Sequence, residues 1–474
     1  MRARARVGAA NGAYWMRLRL LPICLLCLLL LSGCSAIDQT TEPTTTPVAT
    51  TESASGPTAT EQTAEPSPAE LPTRDEASRE TATAPASPTD EATGLDAQFA
   101  QILERVVELN GLQPTAPITP QFISRDELRE NLIQIQTEEY SAEDAQNDAT
   151  TLWLMRLSDD RDLDLFQLYI DLLSEQVLGY YDPETDELFV VTDGDELSAL
   201  AEMTLAHEMV HALQDQHVDL MALSSPAIDT DRAMGASAVI EGGAEVVATR
   251  YVLEYFSASQ MLELTMQANI TTTDVLDRAP AYIRETLYFP YIDGVDFATQ
   301  VYESQGNDGL IALLNDPPQS TEQILHPEKY LDDRDDPQTV VIQDLEPVLG
   351  AAWSAVQGDT IGELDLRIML QENGAADAVA AAAGWGGGEY MLYTAANDAL
   401  LVVSTVWDSE DDADEFVTAL GETLQTAAPT SGIMTDDAGR FHAVVADGTS
   451  VTLISGTNRA TVDAARAALR SLIS

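Results

Sequence analysis

Two histidines and a glutamate at fixed spacing are the residues of this chain best suited to chemistry. They are His207, Glu208 and His211, in the run His-Glu-Met-Val-His. On a helix, residues four apart lie one turn apart on the same face, so both imidazoles can contact one cation. Glu208 stands beside them and can reach a water next to that cation. This H-E-x-x-H spacing predicts a zinc site with Glu208 as the general base.

The surrounding residues favour a metal site over two ordinary buried histidines. No charged residue, glycine or proline stands among residues 203–214 apart from the motif's own Glu208, as in a helix with a dry metal-facing side. The chain has five histidines, and His207, His211 and His217 all fall within this stretch. A lone histidine here would more often be a packed core residue. The pattern predicts a metal helix over about 197–219.

Catalytic zinc usually takes three protein ligands, and two sources of the third are open. A second predicted helix, starting near Asp231, carries Glu241 and, one turn later, Glu245. We favour Glu241 as the ligand, with Glu245 orienting a histidine or replacing Glu241 if the register differs. The other candidate is His217, whose spacing matches the metzincin motif. Gln214 stands where that motif has the glycine that turns the chain, which favours Glu241.

Two glycines follow Glu241 directly. Gly242 and Gly243 lie inside the second predicted helix, where each costs about 1 kcal/mol relative to alanine. Close approach to another element would explain them, and we expect that element to be the metal helix.

The expected reaction is hydrolysis of a peptide bond by a zinc-activated water, with Glu208 as the general base. A hydrogen-bond donor for the oxyanion is also needed. The candidate donors are Tyr180, Tyr181, His326 and Tyr330. Asp215 or Asp219 is expected to orient a histidine through its second ring nitrogen.

Several segments resemble known zinc peptidases. Glu241-Gly242 is similar to the E-G-x-A segment that supplies the glutamate ligand in gluzincin peptidases. A group of bacterial zinc metallopeptidases is similar over about 95–410, through segments at 181–183, 207–217, 239–242, 320–327 and 382–387. The resemblance implies a zincin-like fold and a zinc ion. It departs at Gly243, where an acidic residue often stands.

The N-terminus has the pattern of an exported lipoprotein. Five arginines within residues 2–19 precede an apolar core at Leu20–Leu31, which is short for a bilayer span. The following Leu31-Ser32-Gly33-Cys34 resembles the lipobox of bacterial lipoproteins. We therefore expect lipidation of Cys34 and attachment to the extracytoplasmic face of the cell membrane. All three cysteines lie within residues 24–34, so no disulfide or catalytic thiol is expected beyond them.

The charge of the chain excludes some classes of partner. The formal net charge is −56, and it becomes −61 without the five leader arginines. A negative charge of this size repels nucleic acid and anionic membrane surfaces. The expected partners are a protein or peptide substrate and, through the lipid, a membrane.

The composition divides the chain into four parts. Residues 1–33 are expected to be a signal peptide, and residues 34–94, rich in Thr, Ser, Pro, Ala and Glu, are expected to be a disordered tether. Residues 95–345 are expected to form a mostly helical zincin-like catalytic domain with a small β-sheet. Residues 346–474 are expected to form a second α+β domain. The predicted fold class is therefore α+β.

Local patterns predict individual elements. They are a helix over 95–109, helix from a capping box at Ser124 to about 147, helices over 150–157 and 163–177, a hairpin over 178–191, mostly helix over 250–335, helices near 361–373 and 376–383, and then a ββαββα unit over 389–473. That unit predicts a four-stranded antiparallel sheet with helices on one face.

The leading hypothesis is a membrane-anchored zinc metallopeptidase, and the alternative is a non-catalytic binding lipoprotein that keeps the fold.

Overall fold

The computed structural model of the protein describes residues 94–471 except 193, 195, 226, 271 and 272. The predicted signal peptide, Cys34 and the tether lie outside the described residues. A helical region with a three-stranded sheet is followed by a six-stranded antiparallel sheet with helices. The predicted α+β class is confirmed.

The first region is mainly helical. Its helices are α1 (Leu95–Asn110), α2 (Arg125–Glu139), α3 (Ala142–Leu154), α4 (Leu165–Gln176), α5 (Ala199–Asp215), α6 (Leu220–Leu223), α7 (Thr230–Tyr255), α8 (Ala258–Ile270), α9 (Asp274–Arg278), α10 (Ala281–Tyr288), α11 (Asp293–Asn315), α12 (Glu322–Leu325) and α13 (Glu328–Leu331), with a 3-10 turn at Phe289–Tyr291. Its strands are β1 (Pro120–Ile123), β2 (Gly179–Asp182) and β3 (Glu187–Val191).

Serine capping boxes set the starts of α2 and α3. The predicted box at Ser124 is confirmed, because Ser124 Oγ accepts the Glu127 N–H at 3.3 Å and Glu127 Oε2 accepts the Ser124 N–H at 2.9 Å. A second box joins Ser141 and Asp144. The helix predicted to continue to about 147 is therefore interrupted at Tyr140, because Ser141 starts a new helix there.

The small sheet has the strand order β1-β3-β2. The predicted hairpin is confirmed, since β2 and β3 pair antiparallel with Tyr181 opposite Leu188. Strand β1, which pairs parallel with β3, was not predicted. Strand β3 is therefore the central strand, and β2 is an edge strand that packs against α5.

The adjacent glycines Gly242 and Gly243 of α7 face two different helices. A Cβ on Gly242 would clash with the carbonyl oxygen of Gly294 in α11. A Cβ on Gly243 would meet only Gln214 Nε2 of α5, at 3.6 Å. The expectation that the metal helix requires both glycines is therefore wrong for Gly242, which permits the close crossing of α7 and α11.

The second region is built on the larger sheet. Its elements are α14 (Glu346–Leu349), β4 (Ser354–Thr360), α15 (Glu363–Glu372), α16 (Ala378–Ala382), β5 (Trp385–Ala395), β6 (Asp398–Trp407), α17 (Glu410–Thr423), a 3-10 turn (Pro429–Ser431), β7 (Ile433–Thr435), β8 (Phe441–Asp447), β9 (Ser450–Gly456) and α18 (Arg459–Arg470). The strand order is β4-β5-β6-β9-β8-β7, and every pair is antiparallel.

The predicted ββαββα order is confirmed, but the sheet is larger and is covered on both faces. Strands β4 and β7, which the sequence did not indicate, form its two edges. Leu401 of β6 belongs to the same core cluster as Phe416 of α17. The next residue, Val402, belongs to a different cluster with Val462 of α18. Successive strand residues point to opposite faces, so the expectation of helices on one face is wrong.

One hydrophobic core joins the two regions. The largest cluster contains Leu152 and Ile283 from the helical region together with Trp385 and Leu401 from the sheet region. Trp385 is fully buried within it.

Candidate metal centre

Helix α5 carries the H-E-x-x-H motif and is buried over most of its length. Ser198 Oγ caps its N-terminus by accepting the Ala201 N–H at 3.2 Å. All residues from Met203 to Gln214 are buried. Helix α7 starts at the capping residue Asp229 and packs against α5. The two helices thus hold the motif and Glu241 face to face.

Three side-chain atoms from these helices converge on one point. His207 Nε2 lies 2.9 Å from His211 Nε2 and 3.3 Å from Glu241 Oε2, and His211 Nε2 lies 3.4 Å from the same Oε2. A tetrahedral zinc ion with bonds of about 2.0–2.1 Å places its ligands roughly 3.3 Å apart. The buried His207, His211 and Glu241 group can therefore bind a metal ion.

The outer ring nitrogen of each histidine lies close to a polar side chain, but only that of His211 forms a hydrogen bond. His211 Nδ1 lies 2.9 Å from Gln214 Oε1, and Gln214 Nε2 donates to the Ile240 carbonyl at 3.3 Å. His207 Nδ1 lies 3.2 Å from Glu245 Oε2. With a proton on each Nδ1, both Nε2 atoms present lone pairs to the same point, as metal ligation requires.

The charges of the group also suit a cation. Burial alone would raise the pKa of Glu241, but the imidazoles of His211 and His207 lower that pKa to about 2. Burial lowers the pKa of His211. Burial also acts to lower the pKa of His207, but Glu241 and Glu245 outweigh it and raise that pKa. An anionic Glu241 beside a neutral His211 suits a divalent ion, which would have to displace the proton that the raised pKa keeps on His207.

Glu208 lies on the side of α5 that faces the edge strand of the small sheet. Its Oε2 accepts the backbone N–H of Tyr181 in β2 at 3.0 Å. A strand therefore orients the carboxylate that the sequence identifies as the base.

The candidate centre is closed to solvent. His207, Glu208, His211 and Glu245 are 0% exposed, and Glu241 is 1% exposed. A substrate can reach these atoms only if the covering structure moves.

His217 is not brought to the centre. It is exposed and follows the end of α5 at Asp215, and its Nε2 donates to the Gln113 carbonyl at 2.8 Å. The structure thus brings Glu241, and not His217, beside the two motif histidines.

The candidate oxyanion donors have other partners. The Tyr181 hydroxyl donates to Asp215 Oδ2 at 2.9 Å, and the Tyr330 hydroxyl donates to the Asp316 carbonyl at 2.5 Å. His326 Nε2 lies 2.8 Å from Glu363 Oε1. Tyr180 is buried and stacks on Phe189 with ring centroids 4.7 Å apart.

The expectation that Asp215 or Asp219 orients a histidine is wrong. Asp215 accepts from Tyr181 and from the Leu220 N–H, and Asp219 caps α6. Gln214 occupies that position at His211 instead. From the sequence, Gln214 was used only to show that the metzincin glycine is missing. An amide three residues after a helical histidine is nevertheless within reach of the histidine ring.

A second acidic group is already occupied by a side chain. Glu322, Asp335 and Asp408 surround the ammonium of Lys329, with Nζ to oxygen distances of 2.6, 2.9 and 2.7 Å. Lys329 supplies the cation, and the group joins the two regions.

Comparisons with known proteins bear on the second region only. Residues 348–466 match the model of a family described as Domain of unknown function (DUF8575). No curated protein and no solved structure matches the chain. Among the described residues, none of the helices combines the length and apolar character needed to cross a bilayer. The matched segment includes all six strands of the larger sheet and none of the three converging residues.

Proposed function

We propose that the protein is a zinc-dependent metallopeptidase. The convergence of His207 Nε2, His211 Nε2 and Glu241 Oε2 carries this proposal, because the two distances to Glu241, 3.3 and 3.4 Å, match those between the ligands of a tetrahedral zinc ion. The two nitrogens, 2.9 Å apart, would separate by about 0.4 Å around such an ion. Glu208, next to His207 and on the same helix, supplies the carboxylate that a purely structural metal site does not need.

Each residue of the centre has a separate role in the proposed hydrolysis. A bound zinc ion would supply Lewis acidity toward the scissile carbonyl and toward water. Gln214 holds the His211 imidazole in the tautomer that leaves its Nε2 free, and the Glu245 carboxylate lies 3.2 Å from Nδ1 of His207, where it favours a proton on that nitrogen. Glu208, held by the Tyr181 N–H, accepts the proton of the attacking water and delivers it to the leaving amine.

The proposed substrate is a protein or peptide. Strand β2 is an edge of the small sheet and touches α5, so its backbone lies beside the base. An extended peptide can align on such an edge by backbone hydrogen bonds. Because the centre is closed, peptide entry requires displacement of the structure that covers it.

Metal analysis of purified variants tests the ligand set. We expect about one zinc per chain in the wild type, loss of zinc in His211→Ala and Glu241→Ala, and retention in His217→Ala, since His217 lies outside the group. A wild-type protein that binds no zinc after reconstitution would rule out the proposal. Zinc retained by Glu241→Ala but lost from His217→Ala would reverse the ligand assignment.

A peptide-library screen tests the activity. We expect hydrolysis by the wild type and none by Glu208→Gln, which has nearly the same shape and should still bind zinc. Equal hydrolysis by both proteins would show that Glu208 is not the base.

The complete burial of the centre favours a second candidate function, a non-catalytic lipoprotein in which the metal holds α5 to α7. In that case zinc raises the thermal unfolding midpoint, as for any ligand of the native state, but Glu208→Gln and wild type are equally inactive on every peptide. The two functions therefore differ in activity and not in metal content.

We also propose attachment to the extracytoplasmic face of the cell membrane through a lipid on Cys34. The sequence Leu31-Ser32-Gly33-Cys34 after an apolar core supports it. Expression in a bacterial host with a radiolabelled fatty acid should label the wild type and not Cys34→Ala. Labelling of both proteins would exclude Cys34 as the modified residue.

A further inference from the structure

Helix α8 packs against the metal helix α5 yet is mostly exposed. Among residues 258–267, the part of α8 whose side chains the structure describes, only Leu264 is buried. Leu262 and Met266 are each 62% exposed. Helix α1, which also packs against α5, buries Ile102, Val106, Leu109 and Asn110. Because local opening costs least where few apolar contacts are buried, α8 detaches from α5 more readily than α1 does.

Leu264 belongs to a small buried apolar cluster on the metal-facing side of α5. The other buried members, which we call the Leu264 pocket, are Ala199, Leu200 and Met203 of α5 and Val252 of α7. Met203 and Leu200 precede His207 by four and seven residues, so they lie on the same side of α5 as that ligand. With a helical rise of about 1.5 Å per residue, the pocket begins roughly 6–10 Å from His207 along the helix.

Polar side chains of α8 bind the first turn of α5. Glu263 Oε1 accepts the Ala199 N–H at 3.1 Å, and Gln267 Oε1 accepts the Leu200 N–H at 3.2 Å. The N–H groups of a first helical turn have no acceptor within their own helix. When α8 moves away, they can bond to water or to the carbonyl groups of a peptide, so detachment leaves no buried donor unpaired.

The Leu264 pocket also borders the strand edge on which a peptide substrate is expected to align. Leu178, the residue before β2, packs against the same cluster. An extended peptide advances about 3.3 Å per residue. A side chain roughly two or three residues from a bond held at the metal centre therefore reaches the pocket.

We propose that Leu264 occupies, in the closed protein, the pocket that receives a large aliphatic side chain of the substrate. This inference rests on the proposed peptidase function and adds its substrate class, peptides with a Leu, Ile or Met side chain close to the cleaved bond. Helix α8 is then an internal competitor of the substrate. Its displacement frees the pocket and the first turn of α5 together, and it opens the way to the buried centre.

Fluorescence anisotropy with labelled hexapeptides of glycine, carrying one Leu or one Lys at the third position, tests the proposal. The protein is full-length Glu208→Gln, in which cleavage does not interfere. The Leu peptide should bind more tightly than the Lys peptide. Adding Leu264→Ala should raise the affinity for the Leu peptide by roughly tenfold or more, because loss of the buried leucine increases the open population that the peptide binds. Leu262→Ala is the matched control, since Leu262 lies on the same helix but is exposed.

A second variant keeps the test decisive if Leu264→Ala does not fold. Glu263→Ala removes the exposed acceptor of the Ala199 N–H and leaves the pocket intact, so the affinity should rise roughly threefold or more. Unchanged affinity in a folded Leu264→Ala, or in Glu263→Ala where that variant does not fold, overturns the proposal. Equal affinity for the Leu and Lys peptides, or no binding by any variant, overturns it as well.

The binding measurement is independent of catalysis. Tighter Leu-peptide binding in Leu264→Ala, together with a wild type that hydrolyses no peptide, would support the Leu264 pocket and overturn the peptidase function. Hydrolysis by the wild type without any preference for an aliphatic side chain near the cleaved bond would support the peptidase function and overturn the pocket.

Discussion

Gln214 connects the two halves of the candidate metal centre through a single amide. Its oxygen contacts His211 Nδ1 at 2.9 Å, and its nitrogen donates to the carbonyl of Ile240, the residue before Glu241. One side chain thus fixes a ligand on α5 and the backbone next to a ligand on α7. Groups in this position commonly affect metal affinity nearly as much as the ligands do.

We expect Gln214→Ala to weaken zinc binding by roughly 10- to 100-fold, because the His211 ring loses the acceptor that fixes its tautomer. Competition with a chromophoric chelator measures this. Gln216→Ala is the control, since Gln216 is the C-cap of the same helix but accepts hydrogen bonds from the Thr115 and Ala116 N–H groups instead of contacting a histidine. Equal zinc affinities for Gln214→Ala and the wild type would contradict this role.

Sequence spacing is informative at the residue scale where one helix sets the geometry. The meeting of His207 with His211 follows from the helical repeat, and Glu241 follows from a second helix with a recognisable segment. The Tyr181 N–H bond to Glu208 could not be predicted, because it is made by the backbone and depends on how β2 lies against α5. The closure of the centre likewise depends on packing among distant elements.

At the scale of elements, α7 and α11 cross closely beside the centre. Gly242 of α7 meets the Gly294 carbonyl, and Gly294 in turn meets the Ala238 backbone. Each glycine therefore removes a side chain from the crossing that positions Glu241.

We expect Gly242→Ala to destabilise the protein by about 1–3 kcal/mol, because the new methyl group must push the two helices apart. Gly243→Ala is a matched control one residue away, where the nearest atom is 3.6 Å from the added Cβ. Alanine favours a helix over glycine by about 1 kcal/mol, so Gly243→Ala should be neutral or stabilising. Urea unfolding measures both, and equal destabilisation by the two changes would contradict this account of the crossing.

The elements missed from the sequence share physical features. Strands β1, β4 and β7 each lie at a sheet edge, and β1 and β7 have four and three residues. The sequence of β4, Ser-Ala-Val-Gln-Gly-Asp-Thr, is mostly polar or small. Such segments become strands because a neighbouring strand offers backbone partners, a long-range effect that local patterns do not contain. The longer central strands β5 and β6 were predictable from their apolar and aromatic runs.

At the scale of the whole molecule, a buried carboxyl group joins the two regions. Asp148 of α3 is 1% exposed, and it accepts the Tyr140 hydroxyl at 2.7 Å and Gln357 Nε2 of β4 at 2.6 Å. Burial raises the pKa of Asp148 to about 7, although both hydrogen bonds act to lower it. This junction therefore titrates near neutral pH.

The sign of the pH effect follows from the raised pKa. Below about pH 4, Asp148 is protonated in both the folded and the unfolded chain. Between about pH 4 and pH 7 the folded protein holds a proton that the unfolded chain has released, so raising the pH through this window lowers the free energy of unfolding. Above the folded pKa both states are ionised, and the contribution becomes constant.

We therefore expect wild-type stability to fall by about 2–3 kcal/mol relative to Asp148→Asn between about pH 5 and pH 8. Asparagine cannot ionise, and its amide can accept from Gln357 while donating to the Tyr140 hydroxyl. Urea unfolding at a series of pH values measures the difference in unfolding free energy between the wild type and Asp148→Asn. The other carboxylates titrate in both proteins, so their contributions cancel in this difference. Asp162→Asn, at an exposed aspartate, is the control, and its free energy of unfolding should change with pH in the same way as that of the wild type. A constant difference between wild type and Asp148→Asn across this range would mean that Asp148 does not titrate within the junction.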